Sequence, residues 1–108
     1  MITIKVRLDS QGRYKGFLIS GHAESNRGND EYDLVCAAVS SVALTCALGL
    51  RDVLQMEGNY DSEHGFMNVD IGNQADKRSN ILIKTMLRGL EEIKERYPDT
   101  LSLIMIKG

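Results

Sequence analysis

The stretch Ile2-Thr3-Ile4-Lys5-Val6-Arg7-Leu8 alternates without a break. Ile2, Ile4, Val6 and Leu8 fall on one side, Thr3, Lys5 and Arg7 on the other. A period of two is the pattern of a strand with one buried face. An element buried on one face demands a second layer to cover it, and this sets the fold class. Asp9-Ser10-Gln11-Gly12 reads as a turn, with Gly12 suited to positive φ. A second strand is expected from Tyr14 to Ser20, forming a hairpin with the first.

Gly21-His22-Ala23 ends that strand, and the polar stretch from Glu24 to Tyr32 reads as a surface loop. Asp33 is expected to cap a long apolar helix from Leu34 to Met56, its carboxylate accepting from the open N–H groups of the first turn. Apolar residues on nearly every face make that helix the centre of the domain. Gly58 and Asn59 break it. Two short strands, Asn59 to Ser62 and Phe66 to Ile71, are joined through Glu63-His64-Gly65. Leu82, Met86, Leu90, Ile93 and Tyr97 recur every three to four residues, predicting an amphipathic helix from Ala75 to Tyr97 that Pro98 stops. Leu101 to Ile106 is a last apolar strand. The expectation is an α+β fold: a single two-layer domain over residues 1–108, order β-β-α-β-β-α-β, with a mainly antiparallel sheet packed against two helices.

A chain of 108 residues suits one domain and not two. Charged residues make up 26 % with a net charge of -2, which argues against direct nucleic-acid binding. The N-terminus lacks the basic and long apolar regions of a signal peptide. No run is read as reaching membrane-spanning length, since Leu34 to Leu50 is broken by Cys, Ser, Thr and Gly. Two cysteines without a secretory signal point to a reducing, cytoplasmic setting with no membrane partner.

The chemistry sits in Gly21-His22-Ala23, a loop, and then Asp33-Leu34-Val35-Cys36-Ala37-Ala38-Val39-Ser40. With Asp33 as cap, Cys36 falls in the first helical turn, where open N–H groups stabilise a thiolate and the oxyanion of an attacked carbonyl. A neutral His22 imidazole nearby would take the thiol proton. Asp33 opposes the thiolate by like charge, so its benefit lies in capping the helix or in orienting His22. Ser40, one turn beyond Cys36, either donates a hydrogen bond within the site or bonds back to a helix carbonyl. By spacing alone, a cysteine on an apolar helix is more often a small core residue, and a histidine after glycine more often a turn residue. Cys46 reads as core and His64 as a solvated turn residue. His22, Cys36, Cys46 and His64 lack the close spacing of zinc ligands, so no metal is expected. A redox pair is not expected either: Cys36 and Cys46 would stand about 15 Å apart along the helix.

Gly-His-Ala at 21–23 followed by Asp-x-Val-Cys-Ala-Ala-Val-Ser at 33–40 resembles the signature of the ribosomal-processing cysteine protease family, Prp. The likeness extends to the Met-Ile-Thr-Ile opening, the Gly-Asn-Tyr-Asp segment at 58–61 and Thr85-Met86-Leu87. It implies a cytoplasmic cysteine endopeptidase, homodimeric and without a cofactor. The implied substrate is the twenty-seventh protein of the large ribosomal subunit. Its N-terminal leader is cut after an aromatic pair, which implies an apolar groove. The catalytic pair maps onto His22 and Cys36, with Gly21, Asp33 and Ser40 in support. The His22–Cys36 loop is about two residues longer than the family pattern, and Glu31 stands where a glycine is usual. Ser25, Asn26, Arg27, Gly28, Asn29 and Asp30 are expected to form a mobile substrate loop. The competing reading is a non-catalytic ribosome-assembly module in which Cys36 is incidental.

Overall fold

The alternation of Ile2, Ile4 and Val6 becomes β1, Ile2–Leu8, with all three side chains buried. The computed structural model describes residues 1–21, 30–63 and 65–107, with the backbone alone at 30–33. The turn after β1 is held by Asp9, whose Oδ1 accepts from the N–H groups of Gln11 and Arg13, each at 2.9 Å. Gly12 takes φ +80°, as its turn position requires. The chain returns as β2, Tyr14–Ser20, antiparallel to β1 with Ile4 opposite Ile19 and Val6 opposite Phe17.

The first helix, α1, spans Asp30–Leu48 and opens into a wider π turn, Gly49–Val53, where the Leu54 N–H reaches back to the Gly49 carbonyl at 2.9 Å. The helix therefore begins three residues before Asp33, so Asp33 lies inside it and is not its N-cap. Asp30, Glu31 and Tyr32, expected in the loop, are helical. The regular α-helix also ends well short of Met56.

β3, Asn59–Glu63, and β4, Phe66–Asp70, form a hairpin. A short 3-10 turn at Gly72–Gln74 leads into α2, Lys77–Arg96. Asp76 caps α2 by accepting from Arg78 N and Ser79 N, while Ser79 Oγ accepts from Asp76 N at 2.9 Å. This reciprocal pair satisfies the open donors of the first turn, so the helix starts two residues later than the apolar spacing predicts. β5, Leu101–Lys107, closes the chain.

The five strands lie in the order β3-β4-β2-β1-β5. Every neighbouring pair is antiparallel except β1 and β5, which run parallel with Ile2 beside Leu101 and Ile4 beside Leu103. The result is the expected α+β order, β-β-α-β-β-α-β, in two layers.

One face of the sheet supplies Ile2, Ile4, Val6, Phe17, Ile19, Met67, Val69 and Leu101 to the core. Val35, Val39, Ala43, Cys46, Ala47 and Leu50 of the first helix and Ile83, Met86, Leu87 and Leu90 of α2 cover it. Each large side chain buried there contributes about 1.5–3 kcal/mol. By length and composition, Leu34–Val53 is long and apolar enough to cross a membrane, which corrects the expectation that no run reaches that length. The reason is that the wide turn continues the helix beyond Leu48. Its buried stripe recurs every three to four residues and packs on sheet and α2, while Leu34, Leu44, Leu48 and Val53 are exposed, so the helix lies against the sheet and is not buried on all faces at the domain's centre as expected.

Candidate active site

Cys36 lies on the sheet-facing side of α1, one residue after the fully buried Val35. It is itself only partly buried. It packs against the edge of the core and lines a cleft. The cleft has a volume of about 190 Å³. Ile2, Ile19, Val39, Ala43 and Met67 give it an apolar floor. Leu44 and Phe66 stand on its wall, 46 % and 39 % exposed. The polar lining comes from Ser40 on α1 and from Ser62 and Glu63 at the end of β3. Ser40 is thus on the same cleft as the thiol, as its position one helical turn on predicts.

Gly21 lines the cleft from the opposite side, at the end of β2. It has φ +89°, and a Cβ there would stand 2.6 Å from the Met1 carbonyl oxygen. Its N–H donates to the Gly65 carbonyl at 3.2 Å, tying the end of β2 to the tip of the β3–β4 hairpin. No other residue meets both demands, so the sequence has glycine where the chain turns toward His22. His22 itself lies outside the described residues, as do Ser25, Asn26, Arg27, Gly28 and Asn29 of the expected substrate loop. Asp30 is the first residue of α1.

The helix start changes the electrostatics expected of the thiol. With Asp30 as residue one, Cys36 is the seventh residue of α1, in its second turn. The N–H groups of a helix's first turn are the ones left without an intrahelical partner. They lie a turn below the sulfur, and the dipole's influence fades within the first turn. The expected first-turn position of Cys36 is therefore corrected, and the helix start is a weak source of thiolate or oxyanion stabilisation.

Cys46 is core, as its mid-helix position predicts. It is 3 % exposed, its thiol points to the Leu82 carbonyl at 3.9 Å, and burial pushes its pKa up to about 12. Neither cysteine is in a disulfide. Among the described residues no group of three or more His, Cys, Asp or Glu is placed to hold a metal ion.

The hairpin wall of Ser62, Glu63, Gly65 and Phe66 was not foreseen in the sequence as part of the site. The signal was present in the two short strands flanking His64-Gly65. A tight turn folds such strands back on each other, and the pairing of β4 with β2 then brings their tip beside Gly21.

A partly exposed thiol on an apolar cleft has the chemistry of a nucleophile that meets an extended peptide, and known proteins agree. The family model described as Cysteine protease Prp matches residues 1–102. The ribosomal processing cysteine protease Prp of Staphylococcus aureus strain Mu50 is 26 % identical over 106 residues, spanning 95 % of this chain and 97 % of the relative. Its fold neighbours include the S. aureus Prp crystal structure with a substrate peptide, at TM-score 0.84 and 19 % identity, covering 98 % of this chain and 100 % of the other. The S. aureus structure with a covalently linked product peptide matches at TM-score 0.80 and 23 % identity over the same shares of both chains. The match of the family model from the first strand into the last, with the thiol on an open cleft, establishes that this chain is a cysteine peptidase and belongs to the Prp family.

Proposed function

We propose that this peptidase removes the N-terminal leader of the twenty-seventh protein of the large ribosomal subunit, with Cys36 as nucleophile and His22 as its general base and acid. The observation that carries the reading is that Cys36 and Gly21, the residue before His22, line one cleft. The relative named for ribosomal processing supports the substrate class. The apolar floor supports recognition of the aromatic pair that the family signature implies.

In this mechanism His22 takes the thiol proton and the Cys36 sulfur attacks the scissile carbonyl carbon, forming a C–S bond. The tetrahedral intermediate collapses, the C–N bond breaks, and the His22 imidazolium gives its proton to the departing amine. Water then attacks the thioester while His22 takes its proton, and the C–S bond breaks to release the acid and restore the thiol. The thiolate owes its formation to the imidazole rather than to the helix start. Asp33, inside the helix, acts by orienting His22. Ser40 supplies a polar contact at the same cleft, and residues 25–29 close over the peptide. No metal or cofactor takes part.

The chain works in the cytoplasm as a homodimer, with no nucleic-acid or membrane partner. Apolar surface on β5, where Ile104 is 41 % and Met105 48 % exposed, supports association of copies. Sedimentation of the purified chain checks the dimer. The test of the activity is incubation with the host's leader-bearing ribosomal protein, with and without a thiol alkylator, read by mass spectrometry. Expected is one cut behind the leader, abolished by alkylation, by Cys36→Ala and by His22→Ala. An uncut leader, or a cut that survives Cys36→Ala, overturns the proposal.

A further inference from the structure

The two edges of the sheet differ in chemistry. β5 ends one side with exposed Ile104, Met105 and Ile106. β3 ends the other side with Asn59-Tyr60-Asp61-Ser62-Glu63. β3 bonds to β4 along one flank. Its other flank has no strand partner among the described residues. An edge of this kind presents a row of N–H and C=O groups able to pair with a further strand. Its place is fixed from both ends. Tyr60 Oη donates to the Met56 carbonyl at 2.7 Å, and the hairpin tip is held by Gly21.

Two further observations give this edge a role. Its C-terminal end, Ser62 and Glu63, lines the Cys36 cleft, so a strand laid along β3 leads to the nucleophile. Asp61 and Glu63 lie two residues apart on one face of the strand, both exposed, and neither has a cationic partner among the described residues. By contrast, Asp70 on the neighbouring strand is neutralised by Arg7 at 3.3 Å. β3 itself carries no Lys or Arg.

We propose that the substrate polypeptide binds as an added strand on the free edge of β3, and that Asp61 and Glu63 select Lys or Arg side chains spaced two residues apart in it. The inference rests on the ribosomal-protein reading above. A protein that will neutralise RNA phosphates is rich in Lys and Arg, which gives this acidic edge its complement. An added strand turns alternate side chains to the same face, within about 4.5–5.5 Å of their cross-strand neighbours. The cleft then reads the apolar residues at the scissile bond, and β3 reads the basic residues of the flanking segment.

The test measures binding of fluorescein-labelled synthetic peptides to full-length Cys36→Ala protein by anisotropy. The probe spans the leader junction of the ribosomal protein; companions carry Gln for each Lys and Arg, or one N-methyl group at successive backbone nitrogens. Expected is about fivefold tighter binding of the basic peptide than of its Gln companion, the scale of two exposed charge pairs. That ratio should fall to about one in Asp61→Asn with Glu63→Gln. N-methylation should weaken binding about tenfold at alternate positions and little between them. No binding, losses without a period of two, or an unchanged ratio in the double variant each overturn the proposal. Binding without cleavage by the wild-type enzyme instead overturns the leader assignment, and leaves the binding series to decide the role of β3.

Discussion

Cys36 and Cys46 are ten residues apart on α1, and their surroundings make them different reagents. Cys36 is partly buried and lines a cleft with Ser40, Gly21 and the hairpin tip. Around Cys46 the helix is backed by α2, and the sulfur meets the Leu82 carbonyl in the core. Burial there disfavours the thiolate, which holds the Cys46 proton in place to about pH 12. The contrast teaches that reactivity on this helix is set by what stands opposite each turn: open substrate space at one, a packed helix at the other.

The largest effect that can break this contrast is on chemistry. Cys36→Ala should lower cleavage of the leader peptide by at least about a thousandfold, while Cys46→Ala leaves it within about twofold of wild type. Initial rates by mass spectrometry check both, and a cleaving Cys36→Ala protein would dissolve the distinction.

The next effect is on stability in alkali. The folded Cys46 pKa is raised to about 12 from an unfolded value of 9.0. The unfolded state therefore loses its proton first. The stabilisation is fully present below pH 9 and is lost as pH rises from there through 12. Over that window the wild type should lose about 4 kcal/mol more than Cys46→Ala does. Parallel urea unfolding of both proteins at pH 8 and above pH 10 measures the difference; equal slopes would mean the thiol is not shielded.

Gly21→Ala sharpens the contrast from the other side. It places a Cβ against the Met1 carbonyl at positive φ and should cost about 2–3 kcal/mol. It should also slow alkylation and turnover at Cys36 without opening Cys46 to the same reagent, as peptide mapping after alkylation would show. The smallest effect is Cys46→Ser. Its hydroxyl sits on a shorter bond and falls short of the Leu82 carbonyl that the sulfur meets at 3.9 Å, so a buried, unpaired hydroxyl is expected to cost about 1–2 kcal/mol with cleavage unchanged. A Cys46→Ser protein with wild-type stability and tenfold lower turnover would place Cys46 in the machinery.

β1 was legible because its residues alternate under a rule that depends only on the pleat, and β2 because the Asp9–Gly12 turn sets off a short apolar run after it. The start of α1 was not legible. Asp30, Glu31 and Tyr32 carry no apolar spacing, and polar residues suit a first helical turn as well as a loop. Its end was blurred because the wide turn at Gly49–Val53 interrupts the helix without a proline. Strand order could not be read at all, since the β1–β5 and β2–β4 pairings join segments far apart in the chain. Of the site, Cys36 and Ser40 were legible through their shared helical side. The cleft floor was not, because Ile2, Ile19 and Met67 look like ordinary core until the sheet is assembled.

The parallel pairing of β1 with β5 also orders the birth of the protein. Ile2 and Leu101 lie side by side, 99 residues apart in sequence. Closing such a span costs on the order of 4 kcal/mol in chain entropy. On a translating ribosome, β1 emerges first and β5 last. Until residues 101–107 leave the exit tunnel, one flank of the strand bearing Ile2, Ile4 and Val6 stays without its neighbour. The two hairpins need no such wait. A nascent chain stalled before β5 would therefore carry an open, apolar strand edge prone to pairing with other chains.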